Sequence, residues 1–464
     1  MNNNEKVRSA IFIIINAIIP ICYNVNTFSQ TDAIHVYLYS FLLCFLYLWP
    51  AIKEKGILFI FSPTILSVLY ISLNCIIGGF YMRAGLILDS DLLHTFKAIP
   101  PEYLWGFAFV TVVFNSILCV IAYKRPKESL YPESQPEEKQ VHKLTIIRRI
   151  VVLSLILSII SSIPVAFHET KSMGFIQSLY FPFFIGTLIC LFYNFLQLRC
   201  SNMINWLVAI GIFIISVILF YHSKREAFFC LIAMIIMLVL NGGTYKLKIR
   251  HLVLGGILGV LSVVLVLSAS LMRGYNKFDG GSFVEAVKAI PNYVESPAFW
   301  AATGSNFEFV AAYPHTVNSF NYIFNGEIPL LYGETFWKVL FVPIPKSVFN
   351  YKPRKMLEVY TEKYDMTFRQ FGGSYPVMCY ADFVANFSVF SILVIILFFN
   401  ICDKIYYSAC SGWSRNKDIV KILTSIAFAS IIIQYTRGDG FSSLCLYTFL
   451  TWLTILIIRK LHFV

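Results

Sequence analysis

The chain has 464 residues, of which 58% are hydrophobic, 17% aromatic and only 13% charged. A soluble domain carries roughly a quarter charged residues, so this chain has too little charge to cover so much apolar surface. These proportions exclude a soluble enzyme, a disordered scaffold and a secreted disulfide-rich domain. They indicate an integral membrane protein that crosses the bilayer many times.

The formal net charge is +12, which in a soluble protein would suggest nucleic-acid binding. Nucleic-acid-binding proteins concentrate Lys and Arg in patches on a folded surface. Here these residues lie in short polar breaks between long apolar runs, as topology charges facing the cytoplasm do. We therefore expect no nucleic-acid partner.

A membrane-spanning helix needs about 20 mostly apolar residues. Twelve segments meet this requirement: 10–25, 33–52, 57–80, 103–123, 146–167, 175–198, 203–221, 227–241, 251–272, 379–402, 418–436 and 441–458. The predicted fold is an all-α polytopic membrane protein with about 12 transmembrane helices and one large, partly helical loop. In chain order, the predicted units are a bundle of about nine helices (1–272), the loop domain (273–378) and a bundle of about three helices (379–464).

The distribution of Lys and Arg predicts the orientation. In the short loops and the two termini, 21 of these residues lie on the side of the N-terminus and six on the other side. An excess of positive charge marks the cytoplasmic side. We therefore expect both termini in the cytoplasm and loop 273–378 outside.

The long loop is nearly neutral and rich in Tyr, Phe and Trp. Segments 282–292 and 304–322 read as helices with capping residues at their starts. The prolines at 343, 345 and 353 predict rigid, extended backbone that cannot be helix in the stretches 341–346 and 351–354. The loop is either a passive lid or the wall of a polar pocket in which aromatic rings stack on sugars and charged groups hold phosphate.

The sequence contains no CxxC, HExxH or His/Cys cluster, so we expect no bound metal. It also lacks the Gly-rich loops that bind phosphate in nucleotide-binding proteins. Asp89-Ser90-Asp91 resembles a metal and sugar-nucleotide motif, but it is expected to be a solvated external loop.

Basic residues occupy three external positions at the ends of spans. These are Lys224-Arg225, Arg273 and Arg437, the last within the four-residue connection Arg437-Gly438-Asp439-Gly440. Each of them alone is explained by side chains that snorkel to lipid headgroups or nearby carboxylates. Together, three converging guanidinium groups would bind a phosphorylated lipid, because their planar forks match phosphate oxygens.

These features together resemble the O-antigen polymerases, or oligosaccharide repeat-unit polymerases. The resemblance covers residues 200–445 and consists of short motifs in order: Ser223-Lys224-Arg225, Arg273-Gly274, Pro343-Ile344-Pro345-Lys346-Ser347 with Lys352-Pro353-Arg354, Gly372-Gly373-Ser374-Tyr375-Pro376, and Arg437-Gly438-Asp439-Gly440. Two positions depart from the family pattern. Lys346 stands in place of an Arg, and Ala381-Asp382 in place of Gly-Glu.

The resemblance implies a glycosyltransferase of the bacterial inner membrane that acts at its periplasmic face. Such an enzyme transfers a glycan chain from undecaprenyl diphosphate to a lipid-linked repeat unit and releases undecaprenyl diphosphate. It needs no cofactor. Its substrates are undecaprenyl-diphosphate-linked glycans in the membrane lipid, and its possible protein partners are a chain-length regulator and a flippase.

Site roles follow from this chemistry. Arg225, Arg273 and Arg437 would bind the diphosphate, with Lys224 and Arg354 in support. The acceptor hydroxyl needs a base, for which His315 and Asp439 are the main candidates and Glu334 and Asp382 are rivals. His315 can instead be a structural, hydrogen-bonded side chain, and Asp439 can instead orient Arg437. Lys338 is expected to lie outside the site.

Two other functions remain open. A ligase that moves the finished glycan to another acceptor would share the fold and the basic site. A lipid-linked-oligosaccharide flippase or another transporter would be expected to carry charges near the membrane midplane and paired repeats of broken helices.

The predicted orientation can be tested by cysteine labelling. In a variant depleted of cysteine, a reagent that does not cross membranes should modify a single Cys placed at Asn325 and spare one placed at Gln135. The opposite labelling pattern would reverse the orientation.

Overall fold

The computed structural model describes residues 3–86, 99–125, 143–166, 174–198, 224–242, 283–297, 299–300, 303, 308–344, 348–349, 351–413 and 418–464, with six single positions between 257 and 271. Within these ranges, all regular secondary structure is helical. The predicted spans 203–221 and 251–272 lie outside the described residues apart from those single positions. Arg273 and Asp89-Ser90-Asp91 also lie outside them.

Seventeen α-helices are described in these ranges. In chain order they are α1 (Asn3–Ile21), α2 (Gln30–Lys55), α3 (Ile57–Ile60), α4 (Pro63–Arg83), α5 (Pro101–Tyr123), α6 (Lys143–Ala166), α7 (Gly174–Gln197), α8 (Lys224–Gly242), α9 (Phe283–Tyr293), α10 (Glu308–Phe324), α11 (Glu334–Phe341), α12 (Met356–Tyr364), α13 (Met366–Gln370), α14 (Cys379–Phe387), α15 (Ser391–Gly412), α16 (Ile419–Arg437) and α17 (Phe441–Lys460).

Eight segments of the described chain are long and apolar enough to cross a membrane. They are Gln30–Lys55, Pro63–Arg83, Pro101–Tyr123, Leu144–Ile163, Tyr180–Gln197, Cys379–Gly412, Ile419–Arg437 and Phe441–Lys460. The described part of the chain is all-helical, and the whole chain has the composition of a membrane protein. Helices α1 and α8 coincide with two further predicted spans, but α8 contains only a short apolar stretch, Phe228–Asn241. The count of twelve and the orientation remain predictions.

Side chains form hydrogen bonds at both ends of α2. At the start of α2, Ser29 and Asp32 form a capping box in which each side chain bonds the other's backbone N–H. Such a box satisfies donors that the first turn leaves free. At the opposite end of α2, Lys55 Nζ donates to the carbonyl oxygen of Tyr123, 2.6 Å away, at the end of α5. This bond brings the ends of α2 and α5 together and places a cation where the α5 dipole is negative.

The predicted loop domain packs into the helical bundle. Tyr313 of α10 lies against Gly78 of α4, where an added Cβ would be 2.5 Å from the Tyr313 Cβ. Gln30 Nε2 donates to the Tyr313 hydroxyl over 2.6 Å, and the rings of Phe107 and Phe320 pack edge-on. Residues of α10 and α12 consequently share one apolar core with α2, α4 and α5.

The helices predicted in the loop, 282–292 and 304–322, correspond to α9 and α10. Helices α11, α12 and α13 were not predicted. Helix α11 ends at Phe341, two residues before Pro343, in agreement with the expected effect of proline on helical backbone.

The predicted span 379–402 is divided in two. Helix α14 ends at Phe387, Ser388 adopts the left-handed conformation with φ of +48°, and α15 begins at Ser391 after a short 3₁₀ turn. All but the last residue of α14 are buried, whereas α15 exposes a broad apolar face. A hydropathy pattern does not register this break because both sides of it are equally apolar.

Candidate functional site

The turn between α16 and α17 carries Arg437 and depends on Gly438. Gly438 has a φ of +119°, and its N–H and that of Asp439 donate to the carbonyl oxygen of Gln434, closing the helix end. A Cβ at Gly438 would lie 2.1 Å from the carbonyl oxygen of Val377. The turn is therefore pressed against the backbone that leads into α14.

Arg437 and Asp439 form an ion pair within this turn. Arg437 Nη1 donates to Asp439 Oδ1 over 2.9 Å, and both side chains are largely buried. Of the two roles predicted for Asp439, base or partner of Arg437, this geometry matches the partner. The Arg-Gly-Asp segment is therefore part of a structural turn.

Lys355 lies over the same turn. Its Nζ donates to Ser443 Oγ over 2.7 Å, and its side chain packs against Gly440. Gly440 has a φ of +85°, a conformation that costs glycine little, and its lack of a side chain leaves the space that Lys355 fills. The start of α12 is in this way joined to the start of α17.

Glu358 contacts three basic residues, one of which is Lys355. It accepts hydrogen bonds from Lys338 Nζ and from the backbone N–H of Lys355, and it lies 3.5 Å from Arg369 Nη2. We call Lys338, Lys355, Arg369 and Arg437, together with Glu358 and Asp439, the cationic cluster. Its formal charge is four positive and two negative, which leaves a net charge of +2.

The cluster is poorly hydrated, and its pKa values reflect this. Burial lowers the pKa of Lys355, and the negative charge of Glu358 only partly opposes that effect. Burial by itself would raise the pKa of Glu358, but Lys338 and Lys355 bring it below its usual value. An additional anion beside Lys355 would therefore stabilise a charge that the protein alone stabilises incompletely.

Asp382 forms a buried polar network next to the cluster. Its Oδ1 accepts from Thr335 Oγ1 (2.7 Å) and Asn386 Nδ2 (2.9 Å), and its Oδ2 accepts from the Tyr435 hydroxyl (3.3 Å). Asn386 Oδ1 also accepts the backbone N–H of Thr335. The network holds together α11, which carries Lys338, and α16, which carries Arg437.

A small gap, too small to hold a water molecule, lies between this network and the turn of Arg437. Its lining consists of Met356, Leu357, Val377, Cys379, Asp382, Tyr435, Gly438 and Gly440. Asp382 is the one carboxylate among these lining residues.

His315 lies in an aromatic environment, against the side of α12 that carries Tyr360 and Tyr364. Its ring stacks on Tyr375 with centroids 4.1 Å apart, and its Nδ1 is 3.2 Å from the Tyr360 hydroxyl. The side chain is 5% exposed, and burial lowers its pKa to about 3. This arrangement favours the structural alternative for His315, because so weak a base is poorly suited to proton abstraction near neutral pH.

The remaining predicted site residues lie apart from the cluster or outside the described residues. Arg354 is exposed and pairs with Glu362 over 2.7 Å, while its backbone N–H donates to Glu334. Lys224 and Arg225 begin α8, but their side chains are not among the described ones. Convergence of Arg225, Arg273 and Arg437 therefore remains a prediction.

Three members of the cluster were missed by sequence reasoning, and one was misplaced. Lys355, Glu358 and Arg369 were not singled out, and Lys338, expected outside the site, bonds Glu358. The only local signal is the spacing of Lys355 and Glu358, which closes the first turn of α12. The contacts of Lys338 and Arg369 with Glu358 join residues 11 or more positions apart.

Within the described part of the chain, no group of three or more His, Cys, Asp or Glu side chains is arranged to hold a metal ion.

The turn geometry predicts a severe effect for Gly438→Ala. The substitution would place a Cβ against backbone, which cannot rotate away as a side chain can. Besides the cost of positive φ, about 1–2 kcal/mol, we expect a further loss of about 1–3 kcal/mol from overpacking. The measurement is the thermal unfolding midpoint of the purified protein in detergent.

Gly326→Ala is the matched control. Gly326 also has a positive φ, +80°, but no atom lies within 4 Å of its added Cβ. Equal destabilisation by the two substitutions would show that the contact with Val377 does not constrain the turn.

Because His315 is buried and uncharged, we expect the folded protein to lose stability as the pH falls. Its pKa is near 3 when folded and about 6.5 when unfolded, so the unfolded state binds the proton more readily and stability falls as pH drops below 6.5. The loss approaches about 1.4 kcal/mol per pH unit between these values. Unfolding midpoints from pH 7.5 to 5 should fall more steeply for the wild type than for His315→Phe. Parallel curves would contradict the assignment.

Comparisons with known protein families, with curated proteins and with solved structures find no match to this chain. Among the described residues, the cationic cluster beside the Asp382 network is the arrangement best suited to bind an anion.

Proposed function

We propose that this chain is a glycosyltransferase that polymerises undecaprenyl-diphosphate-linked oligosaccharide repeat units of an O-antigen or a related surface polysaccharide. It would act at the periplasmic face of the bacterial inner membrane, with both termini in the cytoplasm. The observation that carries the proposal is the cationic cluster, which joins loop residues to the end of a membrane-spanning helix.

The reaction needs stabilisation of negative charge on a leaving group. The acceptor hydroxyl of one lipid-linked unit attacks the anomeric carbon of the donor glycan, a new glycosidic bond forms, and the bond to the diphosphate breaks. Undecaprenyl diphosphate leaves with the electron pair of that bond. Basic side chains held in place before the reaction stabilise such charge without reorganising.

The cluster has the properties that this role requires. Arg437 and Arg369 can offer planar forks to phosphate oxygens, and Lys338 and Lys355 can act as point charges. Glu358 and Asp439 hold the four cations in place but leave a net positive charge. The partial burial of Lys355 strengthens its attraction to an incoming anion, because charges interact more strongly where water is scarce.

The proton of the acceptor hydroxyl needs a destination. Asp439 is bonded to Arg437, and Glu334 accepts the backbone N–H of Arg354. Asp382 is buried and already accepts three hydrogen bonds. Glu334 is partly exposed and lies one helical turn before Lys338 on α11. Among the candidate bases, we therefore assign proton transfer to Glu334.

The proposal is tested by the length distribution of the surface glycan. In a strain lacking the gene, glycan should carry one repeat unit in place of a ladder. Lys355→Ala, Arg369→Ala and Arg437→Ala should each shorten the ladder, since losing one charge-assisted contact costs about 1.5–3 kcal/mol, or about ten- to a hundredfold in rate. Arg437→Lys should also be impaired, because it keeps the charge but loses the fork.

Lys363→Ala is the control for these variants. Lys363 also lies on α12, but it forms an exposed pair with Glu327, and exposed pairs contribute little. Membrane protein levels are measured for every variant. Normal ladders at normal abundance in the three cluster variants would refute the site, and loss of all glycan with lipid-linked units retained inside would indicate a flippase.

A further inference from the structure

Helix α11 has three distinct faces. Thr335 is buried and Phe336 packs against the bundle, while Lys338 points to Glu358. The third face carries Trp337 and Leu340, which are 61% and 60% exposed. Residues three apart in a helix lie on the same side, so these two large apolar side chains form one outward face.

The segment after α11 extends this apolar face. Phe349 folds back so that its ring stacks on that of Phe341, with centroids 5.2 Å apart and an angle of 22° between the planes. Val348 is also exposed. A contiguous exposed group of this kind marks a surface that contacts something other than water.

The side of α11 that carries Trp337 borders segments that can cross a membrane, since the Trp337 and Phe387 side chains both lie within 4 Å of a Cβ placed on Gly333. The Phe336 ring lies 5.3 Å from that of Phe387 at the end of α14 and 5.0 Å from that of Phe441 at the start of α17. Immediately after Phe387, Val389 and Phe390 are exposed in the break before α15. Helix α15 then exposes further apolar side chains along its length, among them Leu393, Leu397 and Ile401.

We propose that α11 is an interfacial helix that lies in the membrane at the level of the Ser388 break, with Trp337 and Leu340 in contact with lipid. An amphipathic helix lies in the interface when its apolar face enters the acyl boundary and its charged residues stay at headgroup level. Trp is suited to this position because its ring is apolar and its N–H is polar. This inference depends on the faces of α11 and not on the proposed enzymatic activity.

The proposal has a consequence for the cationic cluster. Lys338 follows Trp337 in the chain and shares a helix with it, so an immersed Trp337 places Lys338 at the level of lipid headgroups. An anionic headgroup could then approach the cluster sideways, from within the membrane. The loop would border the membrane at this point.

Fluorescence quenching by brominated lipid tests the position of Trp337. The full-length protein and its Trp337→Phe variant are reconstituted in phosphatidylethanolamine–phosphatidylglycerol vesicles with or without bromine on the acyl chains. The difference between the two emission spectra belongs to Trp337. We expect acyl bromine to remove most of this difference signal, and acrylamide in the water to have little effect on it.

Two controls calibrate the scale. Trp452, on the partly exposed side of α17, gives the signal of a lipid-facing residue through Trp452→Phe. Trp337→Phe combined with Glu362→Trp gives the signal of an exposed residue on α12. Trp337→Phe with Leu340→Trp moves the reporter one turn along the same face and should reproduce the quenching by lipid.

Either of two other results would overturn the proposal. Quenching by acrylamide to the extent seen at position 362 would place the face of α11 in water. Resistance to both quenchers would mean that protein covers it, from this chain or from a second copy.

Discussion

Asp382 is a carboxylate buried among three helices, and its hydrogen bonds determine how the loop meets the membrane bundle. Thr335 donates to it from α11, Asn386 from its own helix and Tyr435 from α16. An unsatisfied buried carboxylate is strongly unfavourable, so these three elements must pack in a single arrangement. The positions of Lys338 on α11 and Arg437 on α16 depend on that arrangement.

The cationic cluster is possible because two carboxylates offset part of its positive charge. Glu358 is shared by Lys338, Lys355 and Arg369, and Asp439 pairs with Arg437. Without these two acids, four cations in a poorly hydrated place would repel one another strongly. With them, the cluster keeps a net charge of +2, which attracts an anion. This attraction is the basis of the proposed activity.

Close backbone packing fixes the geometry around the cluster. Gly438 lies against Val377 and Gly440 leaves room for Lys355. Gly78 similarly allows Tyr313 of α10 to approach α4. Small residues permit such approaches between helices in membrane proteins. The long loop is thereby a packed part of the bundle, with one apolar core running through both.

The sequence by itself determined the class of the protein. Apolar runs of about 20 residues have few structural outcomes other than membrane-spanning helices, and eight segments of the described residues are helical, long and apolar enough to cross a membrane. Local signals also located two loop helices, because capping and proline effects act over a few residues. The ion pair of Arg437 with Asp439 was within reach of sequence reasoning for the same reason, since the two residues are separated only by Gly438.

Tertiary structure alone decided which distant residues meet. Lys338, Lys355 and Arg369 converge on Glu358 although up to 31 positions separate them, and no short-range pattern encodes the contacts of Lys338 and Arg369. The break at Ser388 was invisible because hydropathy measures composition and not backbone direction. His315 appeared suited to proton transfer by residue type, but its surroundings set its basicity: burial among Tyr360, Tyr364 and Tyr375 disfavours the protonated imidazole. Desolvation and long-range charge contacts arise only when the chain folds, and for that reason the sequence could indicate the kind of site but not its members.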